Sequence, residues 1–478
     1  MTFQSYEFIL LFLPAVTAGY YVCSAIGKKG LPDFFLLVVS VLFYLCAGRE
    51  ALFVLTGSIV LNYVLYRGML LCADRYGTEK KRYLLCLGIL CNLIILGYFK
   101  YYNFFVDSAN LFLNHKLAVR EIMLPVGISF ITFQQIAFLT DAYRQEIAAC
   151  SFGEYALFVT FFPHIWSGPI LTFRDFYPLL HTERKMDWDK LASGLYLFVM
   201  GLGKKVLIAD LFGGAVDWGY ENLSALNAAS MLFVSFSYTI QIYFDFSGYS
   251  DMAVGISRML MLDLPVNFQS PYQAETIMEF WKRWHMTLTG FFTKYLYIPL
   301  GGNRRGGVRT GINTMIVFLC SGLWHGASWT FILWGGVHGC LMLLGRRCKH
   351  LTDRMPRWIN QLVTLLCVNF AWVLFRAGSF TALRQAVSAM TRMDGKGLKE
   401  EIADCFIPVI LRDVPCSGWV CAFVWLLGVG FVTLRCENVQ TKAEKMKFSR
   451  ISAVCCVLVA ILSILSFSGV NTFVYSLF

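Results

Sequence analysis

The amino-acid sequence predicts an all-α, polytopic integral membrane protein, on two observations of composition and one of pattern. Only 15% of the 478 residues are charged, whereas 57% are hydrophobic. The mean hydropathy is +0.59. Soluble globular chains carry roughly a quarter charged residues, because a folded surface must be solvated. The composition therefore excludes a cytosolic enzyme, a disordered chain and a secreted scaffold.

The pattern is a series of runs without Asp, Glu, Lys or Arg along the whole chain. A helix needs about 20 apolar residues to cross a hydrocarbon core of roughly 30 Å, so most of these runs can span and the shorter ones are marginal. We expect about ten to twelve transmembrane helices. The runs are residues 8–27, 34–48, 51–66, 83–99, 122–140, 155–173, 222–244, 310–345, 358–375, 414–434 and 451–478.

The net charge of +11 indicates membrane orientation and not nucleic-acid binding. The basic residues lie in short loops between the apolar runs, which is the positive-inside pattern. We therefore expect no nucleic-acid partner, and we expect the basic loops on the cytoplasmic side. These loops hold Lys28 and Lys29, Arg75 and Lys80 to Arg82, Arg184 and Lys185, Arg346 to Lys349, and Lys442 to Arg450.

The longest internal run, residues 310–345, carries the first candidate catalytic residue. As one helix its 36 residues would be about 54 Å long, more than a bilayer core requires. Because basic residues flank both ends, we expect a break at the far side, in SGLWHGA, residues 321–327. An arm from Thr310 to Trp324 would be about 22 Å long, so His325 would lie at depth. A histidine packed against a carbonyl group is the alternative, but glycines on both sides favour a group that lines a cavity.

The second candidate lies in FWKRWHMTL, residues 280–288, which is followed by YLYIPLGGNR, residues 295–304. Aromatic rings interleaved with cations are typical of a helix at the membrane interface. A plain membrane anchor explains the rings and the cations, but it does not explain His285 or the Gly-Gly-Asn turn. If this segment tucks towards His325, the two imidazoles would supply the acid and base that acyl transfer requires.

Other polar residues in the apolar sequence are predicted to be structural. We expect Asp245 and Asp251 to position backbone and cations, with Asp251 on the same helix face as Arg258. Proline and glycine near His164 indicate broken or re-entrant helices, and His164 itself is predicted to be a packed histidine. The 16 cysteines contain no CxxC pair, so neither a metal site nor a disulfide framework is expected.

Together these segments resemble the membrane-bound O-acyltransferase family. Within it they are most similar to the branch of the alginate O-acetylation and D-alanyl-lipoteichoic acid transfer proteins, and closest to the alginate type. The stretches FWKRWHMTL, YLYIPLGGNR and GLWHGASWTFILWG are the most specific part of a resemblance that covers most of the chain. It implies one domain over residues 1–478, with broken helices around a central funnel or tunnel. Spans would occupy 1–121, the catalytic core 122–376, and a loop and further spans 377–478.

The resemblance also implies chemistry and partners. The invariant histidine of the family falls on His325, and a second family histidine falls on His285. The acyl group would arrive as a thioester on the cytoplasmic side, from acetyl-CoA or an acylated carrier protein, and no metal would be needed. In the alginate-type branch the group is used outside, on a cell-surface or exported polysaccharide, with a separate extracytoplasmic transferase of the SGNH type. The implied location is the bacterial cytoplasmic membrane.

Further residues are predicted to contact substrate. Cationic side chains near the second candidate would meet donor phosphates, although lipid headgroups explain them equally well. Tyr475, near the C-terminus, would take part in an acyl relay or, alternatively, anchor the chain at the interface. The predicted substrate-binding set is Lys282, Arg283, Asn303, Arg304 and Trp324.

The function predicted on these grounds is acyl transfer, most simply of acetyl, towards a surface polysaccharide. D-alanyl transfer to teichoic acid is the alternative within the family. A transporter or flippase would also have broken helices and buried polar residues, but the sequence has no internal repeat. A scaffold that only docks a surface enzyme would not need the two histidines.

Overall fold

A computed structural model describes residues 1–75, 78–394, 397–407, 417–445 and 449–467. All regular secondary structure in these ranges is helical, which confirms the all-α prediction. The chain divides into two compact units. The first comprises Met1–Leu195 and Ala253–Pro265, and the second comprises Tyr196–Met252 and Val266–Phe478.

The first unit is built from helices in the N-terminal part of the chain. A π-helical turn at Phe8–Phe12 leads into the first helix, and another at Gly97–Tyr101 joins the fourth to the fifth. The helices are α1 (Leu13–Ala25), α2 (Leu31–Leu45), α3 (Arg49–Arg75), α4 (Thr78–Leu96), α5 (Tyr102–Asn110), α6 (Ile128–Tyr143), α7 (Phe152–Thr160) and α8 (Phe173–His181).

Two long helices, α9 (Trp188–Gly203) and α11 (Ala228–Met259), contribute residues to both units. The remaining helices belong to the second unit. They are α10 (Asp210–Glu221), α12 (Ile277–Arg283), α13 (Met286–Phe292), α14 (Gly306–His325), α15 (Trp329–Arg347), α16 (Lys349–Thr352), α17 (Arg357–Ala377), α18 (Phe380–Met390), α19 (Glu400–Asp404), α20 (Gly418–Arg435), α21 (Val439–Lys445) and α22 (Arg450–Leu465).

Within the described ranges, five helices are long and apolar enough to cross a membrane. Two shorter apolar helices, α2 and α22, accompany them. The predicted number of ten to twelve crossings exceeds this set and stays a prediction. The five candidate spans are Phe8–Ala25, Arg49–Cys72, Glu79–Asn110, Arg357–Ala377 and Gly418–Arg435.

The apolar runs near proline and glycine do not form single crossings. α6 begins only at Ile128, after Gly127 adopts a positive φ of 75° and packs so closely that a Cβ there would lie 2.2 Å from the Ile165 carbonyl oxygen. α7 ends at Thr160, so the helical part of run 155–173 is too short to span. A helix of nine residues is only about 14 Å long. The prediction of broken helices holds here, whereas the use of 155–173 as a span is wrong.

Buried amide side chains join three helices of the first unit. Gln135 of α6 accepts hydrogen bonds through Oε1 from Ser58 Oγ at 2.7 Å and from Asn62 Nδ2 at 3.1 Å. Asn92 of α4 donates from Nδ2 to Asn62 Oδ1 at 2.7 Å. All four residues are buried. Hydrogen bonds between helices fix their rotation in an apolar environment, where apolar contacts alone specify it weakly.

His164 is held in the same unit by two hydrogen bonds. Its Nε2 lies 3.1 Å from the Phe158 carbonyl oxygen, and its Nδ1 lies 3.2 Å from Gln134 Nε2. The carbonyl can only accept, so Nε2 carries the proton and Nδ1 accepts from the amide. This arrangement is that of a packed histidine, as the sequence predicts.

The amide cluster predicts a specific effect on stability. Asn62→Ala removes one donor to Gln135 and one of the two acceptors of Asn92 Nδ2, which then bonds only the Gly88 carbonyl oxygen, so we expect a loss of about 1–2 kcal/mol. Thermal unfolding in detergent measures it. Thr56→Val, on the exposed face of the same helix, is the matched control, because the Thr56 hydroxyl bonds only its own helix at the Leu52 carbonyl. Equal stability of the two variants would contradict a role for the cluster.

Candidate active site

The long uncharged run folds as a hairpin of two helices. α14 ends at His325, and α15 begins at Trp329 after a connection of three residues. The break therefore falls inside the predicted segment 321–327. The first arm is longer than predicted, because α14 starts at Gly306 and has 20 residues, which is about 30 Å of helix. The argument that a short arm places His325 at depth is thus wrong, and its burial has another cause.

That cause is the close crossing of α14 and α15 at two glycines. A Cβ added to Gly322 would lie 2.2 Å from the Phe331 carbonyl oxygen, and one added to Gly335 would lie 2.2 Å from the Phe318 carbonyl oxygen. Neither position accepts a larger residue, because the atoms in the way are backbone. Small residues let two apolar helices approach closely. The crossing carries the end of α14, and with it His325, against the rings of its neighbours.

His325 lies in a cage of aromatic rings and is only 4% exposed. Its ring centroid is 4.9 Å from that of Trp324, 5.1 Å from that of Trp334 on α15, and 5.3 Å from that of Phe375 on α17. All three rings meet the imidazole at steep angles, between 71° and 87°. Residues from three helices thus hold the imidazole in a fixed orientation away from bulk water.

His285 is fully buried and has an unusual backbone. Its φ is 44° and its ψ is 54°, in the left-handed region, where a residue with a Cβ is strained by about 1–3 kcal/mol. The strain is held by the surrounding backbone, since Met286 donates its N–H to the Asn267 carbonyl at 2.9 Å. The turn directs the His285 side chain towards the protein interior.

Asn267 also fixes the tautomer of His285. Its Oδ1 accepts from the Thr287 backbone N–H at 3.3 Å, from the Thr287 hydroxyl at 2.9 Å, and faces His285 Nδ1 at 3.1 Å. The backbone N–H can only donate, so the Asn267 atom that it meets is the oxygen. His285 Nδ1 must then carry a proton, and Nε2 of the neutral ring carries the lone pair.

Trp324 lies between the two histidines. Its ring centroid is 6.0 Å from that of His285 and 4.9 Å from that of His325. The structure therefore brings together three residues from two separate segments of the sequence.

The other members of the predicted substrate-binding set are not buried with these three residues. Lys282, Asn303 and Arg304 are exposed, and Arg283 forms an ion pair with Glu279 at 2.6 Å. The Gly-Gly-Asn turn is held by buried Asn313, which donates to the Gly302 carbonyl at 2.9 Å. Their predicted contacts with substrate stay predictions. Tyr475 lies outside the described residues.

Comparison with known proteins identifies the chain. The residue pattern of the membrane-bound O-acyltransferase family matches residues 60–383. The chain belongs to the membrane-bound O-acyltransferase family. As an O-acyltransferase with several apolar spans it is a multi-pass membrane enzyme, and the family decides for the enzymatic prediction over the transporter alternative.

Several curated proteins are similar over most of their length. A peptidoglycan O-acetyltransferase of Helicobacter pylori is 37% identical over 430 residues, which cover 83% of this chain and 81% of that protein. A probable alginate O-acetylase of Pseudomonas aeruginosa is 37% identical over 453 residues, covering 93% and 84%. A teichoic acid D-alanyltransferase of Bacillus subtilis is 29% identical over 276 residues, covering 52% and 67%. The acyltransferase is thus similar to O-acetylating enzymes and, over a smaller share of its length, to a D-alanyltransferase.

The structure adds residues that the sequence analysis of this acyltransferase missed. His338 on α15 is fully buried, and its Nδ1 accepts from the Trp281 indole N–H at 3.3 Å. The signal available in the sequence was that His338 lies within the uncharged run 310–345. Asn267, which orients His285, lies outside every segment that carries a motif, so no pattern indicated it.

The carboxylates of α11 pair with lysines. Lys204 Nζ lies 2.6 Å from Asp251 Oδ2, and Gln440 donates to Asp251 Oδ1 at 2.8 Å. Arg258, which the sequence predicts on the same helix face as Asp251, donates to Ser193 and pairs with Asp263. Two further carboxylates, Asp210 and Asp245, share Lys205 at 2.8 and 2.6 Å. Pairing satisfies buried charges that would otherwise be costly, which is a structural role.

The glycine crossing gives a testable prediction. Gly335→Ala forces a Cβ against the Phe318 carbonyl oxygen, so we expect α14 and α15 to separate, with a marked fall in yield of monodisperse protein after detergent extraction. Gly336→Ala is the matched control, since a Cβ there would meet only the Leu319 side chain at 3.7 Å. Equal yields of the two variants would show that the crossing does not determine the fold.

Proposed function

We propose that this enzyme transfers an acetyl group from a thioester donor to a hydroxyl group, for O-acetylation of a cell-surface or exported polysaccharide. The observation that carries the proposal is the buried group of His325, Trp324 and His285, which provides two oriented imidazoles beside one aromatic ring. The relatives that cover most of the chain are named as O-acetylating enzymes of peptidoglycan and alginate.

The chemistry needs a base for the acceptor. An alcohol is too weakly acidic to ionise at neutral pH, so a general base must take its proton as the oxygen attacks the thioester carbonyl carbon. A C–O bond forms, the C–S bond breaks, and the proton passes from the alcohol to the base and then to the departing thiolate. Imidazole suits both transfers, because it accepts and releases a proton near neutral pH.

We assign the base role to His325. The ring cage fixes its orientation on three sides and excludes bulk water, which would otherwise hydrolyse the thioester. General base catalysis of this kind contributes about 10²–10⁴-fold to a rate.

We assign the orientation of the donor to His285. Asn267 keeps the proton on Nδ1, so Nε2 is an acceptor and suits an N–H donor such as an amide of pantetheine. Pantetheine is common to CoA and to acyl carrier proteins, so the assignment fits either thioester. The exposed cations Lys282 and Arg304 suit the phosphates of such a donor.

The location and the partner follow from the proposed reaction. We propose that the enzyme lies in a bacterial cytoplasmic membrane, takes the thioester from the cytoplasmic side, and supplies an extracytoplasmic transferase of the SGNH type. Its relatives of known name are bacterial. D-alanyl transfer to teichoic acid is the less favoured function, because the D-alanyltransferase match covers only 52% of the chain.

A substitution of His325 tests its role as the general base. His325→Ala should lower O-acylation of the surface polymer by at least about 100-fold, because a positioned base contributes that much. Mild alkaline release from the polymer measures it, with acetate expected in the wild-type strain. His350→Ala, at an exposed histidine, is the control and should leave acylation unchanged. Release of D-alanine in place of acetate would assign the alternative function, and full acylation by His325→Ala would contradict the mechanism.

Substitutions of Asn267 test how the His285 ring is oriented. Asn267→Leu removes the acceptor for Nδ1 and should lower kcat/KM for the thioester by about 10-fold to 100-fold, since a buried donor is left unsatisfied. Asn267→Asp keeps the acceptor oxygen and should retain most of the activity. Steady-state kinetics on purified protein separates the two variants. Equal losses would show that Asn267 serves packing and not the tautomer of His285.

A further inference from the structure

One indole and one imidazole on α15 lie buried in the ring cluster beside His325. Trp334 and His338 are both 0% exposed, and their ring centroids are 4.7 Å apart, one helical turn from each other. Trp334 also packs on His325, with 5.1 Å between centroids. The mechanism proposed above uses the Trp334 ring only as one wall of the cage around His325, and it uses neither the indole N–H nor His338.

The hydrogen-bonding roles of both groups are fixed. An indole N–H can only donate, so Trp334 Nε1 needs an acceptor. His338 Nδ1 accepts from the Trp281 indole N–H at 3.3 Å, which means that the ring is neutral and that Nε2 carries the proton. Two obligate N–H donors therefore occur side by side on one helix.

Neither donor finds an acceptor within the part of the chain that the structure describes. A buried polar group without a partner destabilises the structure, because it has lost its hydrogen bonds to water. Two such groups, one turn apart in an aromatic and uncharged environment, indicate a site for an oxygen that brings no full charge with it.

We propose that Trp334 and His338 bind the carbonyl oxygen of the thioester and stabilise the negative charge that develops on it. This inference rests on the proposed acyl transfer at His325. When the alcohol oxygen attacks, the C=O electron pair moves onto the carbonyl oxygen, and collapse of the tetrahedral species expels the thiolate. Neutral N–H donors aimed at that oxygen stabilise the transition state more than the ground state, because their attraction grows with its charge.

Trp281 is then a positioning residue for His338. Its N–H holds Nδ1 as the acceptor and so keeps the Nε2 proton available. The ring contacts agree with this role, since Trp281 meets the His338 ring at 5.0 Å and the Trp334 ring at 5.9 Å.

The chain offers a matched control for packing. Trp372 is fully buried and stacks on Trp334 at 5.8 Å between centroids, but its indole N–H is already bonded to the Tyr272 hydroxyl at 3.1 Å. Trp334→Phe and Trp372→Phe remove similar volume from the same cluster. Only the first removes a donor that has no acceptor among the described residues.

The experiment uses the purified full chain and S-acetyl-pantetheine labelled with ¹³C at the carbonyl carbon, without an acceptor, so that the bound thioester is observed before transfer. In the wild type the carbonyl resonance should lie downfield of the free thioester, because hydrogen bonds deshield this carbon. Trp334→Phe and His338→Leu should move it upfield, and Trp372→Phe should not. In turnover assays each of the first two variants should lose about 10²–10³-fold in kcat, with little change in KM for the thioester.

The outcomes separate this inference from the function on which it rests. A bound thioester whose carbonyl resonance is the same in the wild type and in Trp334→Phe would overturn the donor pair and leave the acyl transfer standing. Equal losses of kcat in Trp334→Phe and Trp372→Phe would also overturn it, as an effect of packing. Failure of the wild type to bind the labelled thioester would overturn the donor pair together with the proposed thioester donor.

Discussion

The close contact of α14 and α15 at Gly322 and Gly335 is the constraint on which the site depends. Each glycine occupies a place where a Cβ would collide with a carbonyl oxygen of the other helix. Since backbone atoms cannot move aside as a side chain can, the distance and rotation of the two helices are set together. His325, three residues beyond Gly322, then lies where Trp334 and Phe375 can reach its ring.

The second constraint is the satisfaction of polar groups away from water. The first unit meets it with amide hydrogen bonds between α3, α4 and α6. In the second unit, lysine side chains pair with the buried carboxylates. Against this background, the strained backbone of His285 and the two N–H donors of α15 stand out. Local rules of folding are broken at few places in a structure, and these places tend to be functional.

The sequence predicts the helical class and the family and selects both histidines as candidates, because each of these depends on a local signal. Scarcity of charge indicates the membrane, and a long uncharged run between basic residues requires a break near His325. The parts that it does not predict depend on contacts between segments. Asp251, for example, pairs with Lys204, which lies 47 residues away in the sequence. Asn267 acts on His285 across a turn, and the ring cage joins α14, α15 and α17. No periodicity within one segment contains such information.

The distribution of charge is consistent with the thioester donor that we propose. Its phosphates are anionic, whereas its reacting end is neutral and sensitive to water. Lys282 and Arg304 are exposed, whereas His325 packs against rings that carry no charge. A buried cation beside the carbonyl would attract the oxyanion, yet it would also carry the large cost of its own desolvation. Neutral N–H donors avoid that cost and still favour the transition state, since the charge to which they respond appears only during the reaction. An aromatic wall with a few fixed dipoles therefore suits the acyl transfer that we propose for this membrane protein.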